Sequence, residues 1–404
     1  QIRNFKMSFI EQDKNVIAPL YGKADIEIVK GEGSYLYDSK GEKYLDFVAG
    51  IAVNALGHQN KAIKEAVARQ MDCFNHISNL YVNMPQVELG RKLLEITGFD
   101  KAFFCNSGTE ANEGAIKFAR KYFDRKGEPN RQKIITFVNS FHGRTFAALS
   151  ATGQPALRQG FGNMPGDFVH VTWNDCAALK AEVNKDTCAI MLESLAAEGG
   201  VMTLSSEMVE TINSLQKEFG VLVIVDEVQA GCGRLGTFLG FEKYGLKPDL
   251  VTLAKGIGGG LPLGGVLLRQ YIADQLKAGD HGTTFGGNPI ACAAGLAVVK
   301  QVSEPALLKN VVERGNQIRA ALSELKKKHS FIKEIRGEGL IVGVALDESV
   351  PVGDVVASAR AQKLMVLSAK GNVLRMLPCL NVSAAEVDEA MEKLSKAFMM
   401  TQGA

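Results

Sequence analysis

The sequence predicts an α/β protein in which helices cover a mostly parallel sheet and a smaller α+β domain follows. Short apolar runs alternate with segments of helical spacing from about residue 60 to 300. The runs are Ala102–Cys105, Ile134–Val138, Ala189–Leu192, Val221–Val225 and Leu250–Leu253. Near-continuous apolar strands separated by helices are typical of a parallel sheet that is buried on both faces. Ligands of such sheets bind at the carboxyl ends of the strands, so the residues after each run are the first candidates for a site.

The two ends of the chain differ from this alternation. Residues 21–50 contain Gly31, Gly33 and Gly41 among β-type residues, which predicts small hairpins. Near the other end, Ser383 and Glu386 have the spacing of a capping box, so a helix should begin there. Its predicted apolar face consists of Val387, Ala390, Met391, Leu394 and Phe398.

Composition excludes several classes of protein. The hydrophobic share of 46% is too high for a disordered chain. A balance of 46 Lys and Arg against 44 Asp and Glu offers no general field for nucleic acid or an acidic membrane. None of the 7 cysteines forms a C-x-x-C pair and the 6 histidines lack H-E-x-x-H spacing, so we expect buried thiols and neither a disulfide framework nor a metal site.

The N-terminal residues carry no predicted signal peptide, because residues 1–6 are polar and no apolar core follows them. Met7 is a candidate natural start. The longest uncharged stretch, between Asp280 and Lys300, is too rich in glycine for a transmembrane helix. We therefore expect a cytoplasmic protein.

Polar features follow three of the predicted strands. Ser107 and Glu110 have capping-box spacing, so Gly108 and Thr109 open either a phosphate cradle or an ordinary capped helix. Asp226 follows a buried strand, where it could hold a metal, a ribose hydroxyl or a protonated ring nitrogen, or cap the next helix.

Lys255 directly follows the fifth run and Ala254, and four glycines lie within the next five positions. Desolvation lowers the pKa of a lysine and frees its amine to form a Schiff base, whereas the alternative is a surface lysine in a loop. An anion cradle, a strand-end aspartate and such a lysine together fit pyridoxal 5'-phosphate. A G-x-G-x-x-G match at residues 231–236 does not follow its strand directly, so we predict no dinucleotide site there.

From about Ala18 to Phe398 the sequence resembles the class III (subgroup II) aminotransferases, and within them the acetylornithine and succinylornithine branch. The motifs that carry this resemblance are Ser78–Leu93, Asn106–Arg120, Phe141–Gly153, Asp226–Gly236, Leu253–Gly265 and Gly279–Ala294. The resemblance implies a fold-type I transferase. We expect an N-terminal segment of the small lobe at 1–60, a large cofactor-binding domain at 61–300 and a C-terminal small domain at 301–404.

The resemblance also implies roles for individual residues. Lys255 matches the Schiff-base lysine, which also moves a proton, and Asp226 matches the partner of the pyridine nitrogen; these two are the implied catalytic residues. Further implied cofactor-binding residues are Ser107, Gly108, Thr109, Phe141 (stacked on the ring), His142, Val228, Gln229 (near the ring hydroxyl) and Thr284. Thr284 matches a threonine that reaches the phosphate of the neighbouring subunit, which implies a homodimer with shared sites.

Implied substrate-binding residues are Arg144, Arg375, Glu198 and Tyr21. Glutamate reacts beside its α-carboxylate, whereas acetylornithine reacts at its distant δ-amine. A bidentate Arg375–Glu198 pair can serve both substrates if it is closed for the amine donor and opened by a competing carboxylate. Without the resemblance, Arg375 would be interpreted as a structural strand-end arginine.

One segment departs from the family pattern Glu-Pro-x-Gln-Gly-Glu-Gly. Residues 193–199 read Glu-Ser-Leu-Ala-Ala-Glu-Gly, so Ser194, Ala196 and Ala197 replace proline, glutamine and glycine. Losing a proline and a glycine changes the accessible backbone shapes, so the geometry of the gate is open to change.

The sequence thus predicts an aminotransferase that transfers the δ-amine of N-acetylornithine or N-succinylornithine to 2-oxoglutarate by a ping-pong mechanism. The alternatives are another ω-amine donor (ornithine, 4-aminobutyrate or a β-amino acid), an aminomutase, and a non-catalytic binding protein. We also expect many glycines to line one cofactor pocket at a dimer interface. These are Gly108, Gly256, Gly258, Gly259, Gly260, Gly282, Gly286 and Gly287.

Overall fold

The structure, a computed structural model, describes residues 8–402, and the candidate start at Met7 lies outside this range. The α-helices are α1 (Phe9–Val16), α2 (Ala49–Ala52), α3 (Lys61–Cys73), α4 (Met84–Thr97), α5 (Gly108–Arg125), α6 (Phe146–Ala151), α7 (Cys176–Glu182), α8 (Ser206–Phe219), α9 (Gln270–Ala273), α10 (Pro289–Val302), α11 (Pro305–Lys328), α12 (Val352–Ala361) and α13 (Ala384–Gln402). The strands are β1 (Ile28–Glu32), β2 (Tyr35–Asp38), β3 (Lys43–Asp46), β4 (Lys101–Cys105), β5 (Lys133–Phe137), β6 (Phe168–Val171), β7 (Thr187–Glu193), β8 (Leu195–Ala196), β9 (Met202–Thr203), β10 (Leu222–Asp226), β11 (Leu250–Leu253), β12 (Gly264–Leu268), β13 (Ile332–Glu338), β14 (Ile341–Leu346), β15 (Leu364–Met365), β16 (Leu367–Ala369) and β17 (Val373–Met376).

A seven-stranded sheet forms the centre of the protein, in the order β4-β12-β11-β10-β7-β5-β6. Strand β10 runs parallel to β7 and β11, and β5 runs parallel to β6 and β7. Only β12 pairs antiparallel with its neighbours β11 and β4. All five predicted strands belong to this sheet, which confirms the mostly parallel arrangement, while β6 and β12 were not predicted.

The seven-stranded sheet is buried on both faces. Along β10, Val223 and Val225 enter one hydrophobic cluster, and Leu222 and Ile224 enter the other. Successive side chains of a strand point to opposite faces, so this division shows that β10 has apolar packing above and below. Helices α4, α8 and α10 contribute to the first cluster and α5 to the second. Because both faces of the sheet are buried, the strand sequences do not alternate between apolar and polar residues.

Smaller sheets flank the central one. The predicted N-terminal hairpins form the antiparallel strands β1, β2 and β3, and β15 adds to β3 in parallel through Leu45 and Leu364. A second small sheet has the order β13-β14-β17-β16, and β8 pairs with β9. Residues from both ends of the chain therefore share one sheet, whereas the domain boundaries at residues 60 and 300 stay predictions.

The last helix begins where the sequence predicts it. The backbone N–H of Ser383 donates to Glu386 Oε2 at 2.7 Å, and the N–H of Glu386 donates to Ser383 Oγ at 3.2 Å. This reciprocal pair is a complete capping box, which stabilises the first turn. All five side chains of the predicted apolar face are buried.

The cysteines are unpaired within residues 8–402, and all are buried except Cys73, which is exposed. Over the same residues, no single helix is long and apolar enough to cross a membrane. The pair α10 and α11, bent by 70°, has the length and composition of a span only when both helices are taken together.

Candidate active site

A cavity of about 430 Å³ opens at the carboxyl edge of the central sheet, beside the ends of β7, β10 and β11. Its wall contains the predicted cofactor-binding residues other than Thr284, and Arg144. These wall residues are Ser107, Gly108, Thr109, Phe141, His142, Arg144, Asp226, Val228, Gln229 and Lys255. The rule that parallel sheets bind ligands at the carboxyl ends of their strands therefore finds the cavity.

The start of α5 forms one side of the cavity. The N–H of Glu110 donates to Ser107 Oγ at 3.3 Å, but the Glu110 carboxylate binds the N–H of Asn106 at 2.8 Å, so the predicted capping box is only half formed. A Cβ on Gly108 would lie 2.6 Å from Val228 Cγ1, so a glycine is needed for these segments to meet. The free N–H groups and the positive end of this 18-residue helix suit an anion.

Thr109 ties the helix start to the loop that carries Arg144. Its Oγ1 accepts from the N–H groups of Arg144 at 3.1 Å and Thr145 at 3.2 Å, and lies 2.8 Å from Thr145 Oγ1. Arg144 is exposed, and its guanidinium carbon lies 5.7 Å from the centre of the Phe141 ring. Arg144 therefore places a positive charge at the mouth of the cavity.

Asp226 is the last residue of β10 and is buried among donors. Its Oδ2 accepts from Asn112 Nδ2 at 2.8 Å and lies 2.8 Å from His142 Nδ1, and its Oδ1 accepts from the N–H of Val228 at 3.0 Å. Turns follow β10, so the alternative that Asp226 caps a helix is wrong. A carboxylate surrounded by N–H groups suits a further N–H donor better than a metal ion, which needs several oxygen or nitrogen ligands in its first shell.

Glu193 is a second buried carboxyl group in the cavity wall, and it is not among the site residues predicted from the sequence. It ends β7 as the direct neighbour of Asp226 in the sheet, and its Oε2 accepts from the N–H of Phe141 at 3.3 Å. Burial, reinforced by the charge of Asp226, raises the pKa of Glu193 well above its ordinary value. The rule that selected Asp226 would also have found Glu193, because it directly follows the apolar run that ends at Leu192.

Lys255 lies two residues beyond β11, at the start of a short 3₁₀ turn. Its φ of 47° is in the left-handed region, which is uncommon for a residue with a side chain and recurs at functional sites. Burial lowers the pKa of its amine, against the opposing charges of Glu198 and Asp226. The alternative of a lysine in a surface loop is wrong, because this half-buried amine lines the cavity.

The Arg375–Glu198 pair is formed. Arg375, on β17, is 2% exposed, and its Nη1 lies 2.7 Å from Glu198 Oε1. Burial raises the pKa of the Glu198 carboxyl, but the charge of Arg375 and hydrogen bonds from Arg375 and Gln229 outweigh burial, so the pKa lies below its ordinary value. The same Nη1 also donates to Gln229 Oε1 at 3.0 Å.

The Arg375–Glu198 pair is formed despite the departure from the family pattern at residues 194–197. Leu195 and Ala196 pair with β9 in a short hairpin, and Ala197 is fully buried in a hydrophobic cluster with Leu195. After the hairpin strand, the carbonyl of Glu198 accepts from the N–H of Lys370 at 3.1 Å. Small apolar side chains and this backbone bond therefore hold Glu198 beside the turn between β16 and β17.

Four predicted residues lie outside the cavity wall. Glu198 and Arg375 are joined to it by the hydrogen bonds of the wall residue Gln229, whereas Tyr21 and Thr284 are not. Tyr21 is 77% exposed, and it lies with α1 in the N-terminal segment. Thr284 is exposed, while its neighbour Thr283 accepts from Asn106 Nδ2 at 3.1 Å. The structure of the single chain therefore does not bring either residue to the cavity.

The glycine prediction is partly wrong. Gly108 and Gly260 line the cavity, but Gly256, Gly258 and Gly259 are not in its wall. A Cβ on Gly256 would lie 3.4 Å from Ala55 Cβ, and one on Gly259 would lie 2.7 Å from Ile63 Cδ1. The glycines after Lys255 therefore serve mainly close packing of the chain behind the site.

The chain is similar to known proteins over most of its length. The family described as Aminotransferase class-III matches residues 16–398. An acetylornithine aminotransferase from Caldanaerobacter subterraneus is 47% identical over 95% of this chain and 98% of its own length. An acetylornithine aminotransferase from Methanocaldococcus jannaschii is 42% identical over 97% of this chain and 98% of its own length.

Solved structures of similar shape include enzymes with different named donors. The ornithine aminotransferase from Toxoplasma gondii has a TM-score of 0.94 at 30% identity, and the match covers 98% of this chain and 95% of that one. The N-acetylornithine aminotransferase from Stenotrophomonas maltophilia has a TM-score of 0.85 at 31% identity, with 98% and 99% covered. The fold is thus shared among these aminotransferases.

Proposed function

The chain belongs to the class III aminotransferase family, and we propose that it transfers the δ-amine of N-acetylornithine, or of N-succinylornithine, to 2-oxoglutarate. The products are the N-acyl glutamate semialdehyde and glutamate, formed in a ping-pong reaction. The observation that carries this proposal is the closed Arg375–Glu198 pair, 2.7 Å apart, which Gln229 joins to the cavity wall that contains Lys255. The relatives named above support the acylated donor.

Class III aminotransferases use pyridoxal 5'-phosphate, and the residues of the cavity suit this group. The start of α5 at Gly108 and Thr109 would hold the phosphate, Asp226 would face the ring nitrogen and Phe141 the ring. When bound, the cofactor supplies an aldehyde for the amine and a ring that withdraws electrons from the substrate carbon. Asn112 Nδ2 and the N–H of Val228 donate to the Asp226 carboxylate and fix its orientation, so that it would accept a hydrogen bond from a protonated ring nitrogen.

Lys255 provides the base of the proposed reaction. Burial lowers the pKa of its amine, which favours the neutral form in which Nζ can accept a proton from the substrate carbon that bears the amine. The apolar wall residues Val53, Leu261 and Leu263 limit the access of water to this carbon. Arg144, at the mouth of the cavity, would bind a carboxylate distant from the reacting carbon.

The Arg375–Glu198 pair lets one cavity accept both substrates. With the pair closed, Arg375 offers no free charge near the reacting centre, which suits the δ-amine end of an acylated ornithine. The α-carboxylate of glutamate or 2-oxoglutarate competes with Glu198 for the guanidinium and opens the pair. A lone buried arginine would instead bind the carboxylate of the amine donor in the wrong orientation.

A homodimer with shared sites is part of the proposal. Leu80, Tyr81, Val82 and Phe285 are 81%, 70%, 88% and 61% exposed. Asn79 Nδ2 donates to the carbonyl of Gly286 at 2.9 Å, so these side chains belong to two linked loops. Exposed apolar side chains gathered in two linked loops are typical of a protein interface. The exposed Thr284 lies in the same loops, where it can reach a partner's cofactor.

Domain division and location are proposed as the sequence predicts them. The division places residues 1–60 in the small lobe, 61–300 in the large domain and 301–404 in the C-terminal domain. The parallel pairing of Leu45 with Leu364 supports grouping the first and third parts. We also propose a cytoplasmic location, which the unpaired and mostly buried cysteines of residues 8–402 support.

A panel of amine donors with 2-oxoglutarate tests the donor. We expect the highest kcat/KM for N-acetylornithine or N-succinylornithine, compared with ornithine, 4-aminobutyrate and β-alanine. A higher value for unacylated ornithine would establish the alternative that the Toxoplasma gondii enzyme represents. Turnover without an oxo-acid acceptor would indicate an aminomutase, and a cofactor absorbance unchanged by every donor would indicate a binding protein.

Variants of two residues test the shared site. Lys255→Ala should abolish turnover, because no other cavity amine replaces its Nζ. Thr284→Ala should weaken the cofactor's phosphate contact in the partner. Exchanging subunits between the two variants creates a dimer in which one site contains both defects and the other contains neither. The mixture should therefore be more active than the average of the two separate variants; an activity that stays at this average despite verified subunit exchange would contradict the sharing of Thr284.

A further inference from the structure

Gln229 contacts both members of the Arg375–Glu198 pair. Its Oε1 accepts from Arg375 Nη1 at 3.0 Å, and its Nε2 donates to Glu198 Oε1 at 3.4 Å. With the direct 2.7 Å contact between Arg375 and Glu198, the three side chains form a closed ring of polar contacts. Gln229 is 7% exposed and Arg375 is 2% exposed, whereas the Glu198 side chain is 28% exposed, so solvent reaches the ring only from the side of Glu198.

Arg375 depends on this ring for its stability in the closed form. Its Nε is buried and has no hydrogen-bond partner in the part of the chain that the structure describes. A buried guanidinium that lacks partners is costly, so the acceptors on Nη1 carry much of the compensation. One of these acceptors is Glu198 and the other is Gln229, and a carboxylate that takes Nη1 must compete with both.

The three members of the ring come from separate parts of the fold. Gln229 lies in the turn after β10, three residues beyond Asp226, and Arg375 lies on β17. Glu198 follows the β8 strand, and the N–H of Lys370 fixes its carbonyl at 3.1 Å. Gln229 therefore joins the edge of the cofactor cavity to an ion pair that spans two other elements.

We infer that Gln229 is a positioning residue that holds the Arg375–Glu198 pair closed and thereby sets the preference between dicarboxylates and N-acylated substrates. This inference rests on the proposed function and deepens it. Gln229 has two N–H groups; Glu198 uses one, and the other stays available to the ring hydroxyl that the family resemblance assigns to it. A test must therefore separate an effect on the pair from an effect on the cofactor.

The test is equilibrium binding of two unreactive ligands to the cofactor-loaded enzyme, measured by calorimetry. Glutarate is a dicarboxylate without an amine or oxo group, and N-acetylnorvaline is the acylated donor without its δ-amine. Gln229→Met keeps the length of the side chain but removes both hydrogen bonds. We expect glutarate to bind about ten- to a hundredfold more tightly, as the loss of one net hydrogen bond to a charged group predicts, and N-acetylnorvaline to bind no more tightly.

Gln229→Glu should act in the opposite direction. It gives Arg375 a second fixed carboxylate, so glutarate should bind more weakly than to the wild type. Gln154→Met is a matched control, because Gln154 is also 7% exposed and bonds the carbonyl of Ser140 at 3.2 Å, outside the ring. This control should leave the ratio of the two dissociation constants unchanged.

The outcomes separate the inference from the proposed function. Equal weakening of both ligands by Gln229→Met, or weaker glutarate binding, would show that Gln229 supports the cavity without holding the pair, and would overturn the inference alone. A wild-type enzyme that neither binds glutarate nor converts an acylated ornithine would overturn the proposed function and the inference together. Opposite shifts of glutarate affinity in Gln229→Met and Gln229→Glu would support both.

Discussion

Two buried aspartates lie at opposite edges of the same seven-stranded sheet. Asp226 ends β10 at the carboxyl edge, and Asp249 directly precedes β11 at the amino edge. Each is less than a tenth exposed, and each accepts several hydrogen bonds. Asp249 accepts from the N–H of Val223 at 2.7 Å, from Gln216 Nε2 at 2.9 Å and from the hydroxyl of Tyr271.

The two edges differ in what surrounds the carboxylate. Asp226 borders the cavity that also contains Lys255, whereas the partners of Asp249 tie α8 and α9 to the sheet. Burial raises the pKa of Asp249, although its hydrogen bonds oppose this effect. The comparison shows that burial and hydrogen bonding alone do not identify a catalytic carboxylate; its position relative to the strand direction does.

The largest expected effect belongs to the carboxyl edge. Asp226→Asn keeps the shape of the side chain and removes its charge, so the ring nitrogen loses the group that keeps it protonated. Loss of one preorganised electrostatic group costs about 10²–10³-fold in rate, and we expect kcat to fall by that factor or more. Steady-state kinetics with N-acetylornithine and 2-oxoglutarate measure this loss. A kcat within threefold of the wild type would mean that the carboxylate at the carboxyl edge is no more important for catalysis than the one at the amino edge.

The carboxyl edge was predictable because its signals are local. Asp226, Lys255 and Gly108 each follow an apolar run within a few residues, and the chain needs no distant partner to place them at one edge. Strand β12 was missed for an equally physical reason. A Cβ on Gly264 would lie 2.5 Å from the carbonyl oxygen of Ser107, so this strand begins with a glycine that weakens its pattern.

The substrate side of the cavity depends on contacts between distant parts of the chain. Only the family resemblance paired Arg375 with Glu198, since no local pattern brings β17 to the segment after β8. The bonds from Gln229 to both residues were not predicted for the same reason. Tyr21 and Thr284 lie outside the cavity of the single chain, and in the proposed homodimer Thr284 would serve the partner's site, a position that local sequence patterns do not encode.

Glu227, a further carboxyl group at the carboxyl edge, should make the stability of the protein depend on pH. Glu227 follows Asp226 directly, but its carboxylate accepts from the N–H groups of Gly240 and Phe241, both at 2.8 Å. Burial raises the pKa of Glu227 from 4.5 to about 7. Because the folded state prefers the protonated group, its stabilising contribution is complete below pH 4.5 and is lost as the pH rises through about 7.

The expected loss is about 3 kcal/mol in the free energy of unfolding, since each unit of pKa shift corresponds to about 1.4 kcal/mol. Urea unfolding of Glu227→Gln should lack this fall between pH 4.5 and pH 8, while Glu210→Gln, at an exposed helix position, should retain it. If the wild type and Glu227→Gln show parallel pH profiles, the environment of Glu227 does not favour its neutral form. The prediction concerns stability because Glu227 does not line the cavity.

A substitution at the amino edge should have the smallest effect, and this effect should be on stability and not on kcat. Asp249→Asn places an amide where three donors now meet a carboxylate, so one of the bonds from Val223, Gln216 or Tyr271 must be lost. We expect the free energy of unfolding to fall by about 1–3 kcal/mol, the cost of leaving one buried polar group unpaired. Urea unfolding and steady-state kinetics on the same preparation measure both quantities. Since Asp249 lies outside the cavity, kcat should stay within about twofold of the wild type, and a kcat loss comparable to that of Asp226→Asn would mean that strand direction does not separate the two carboxylates.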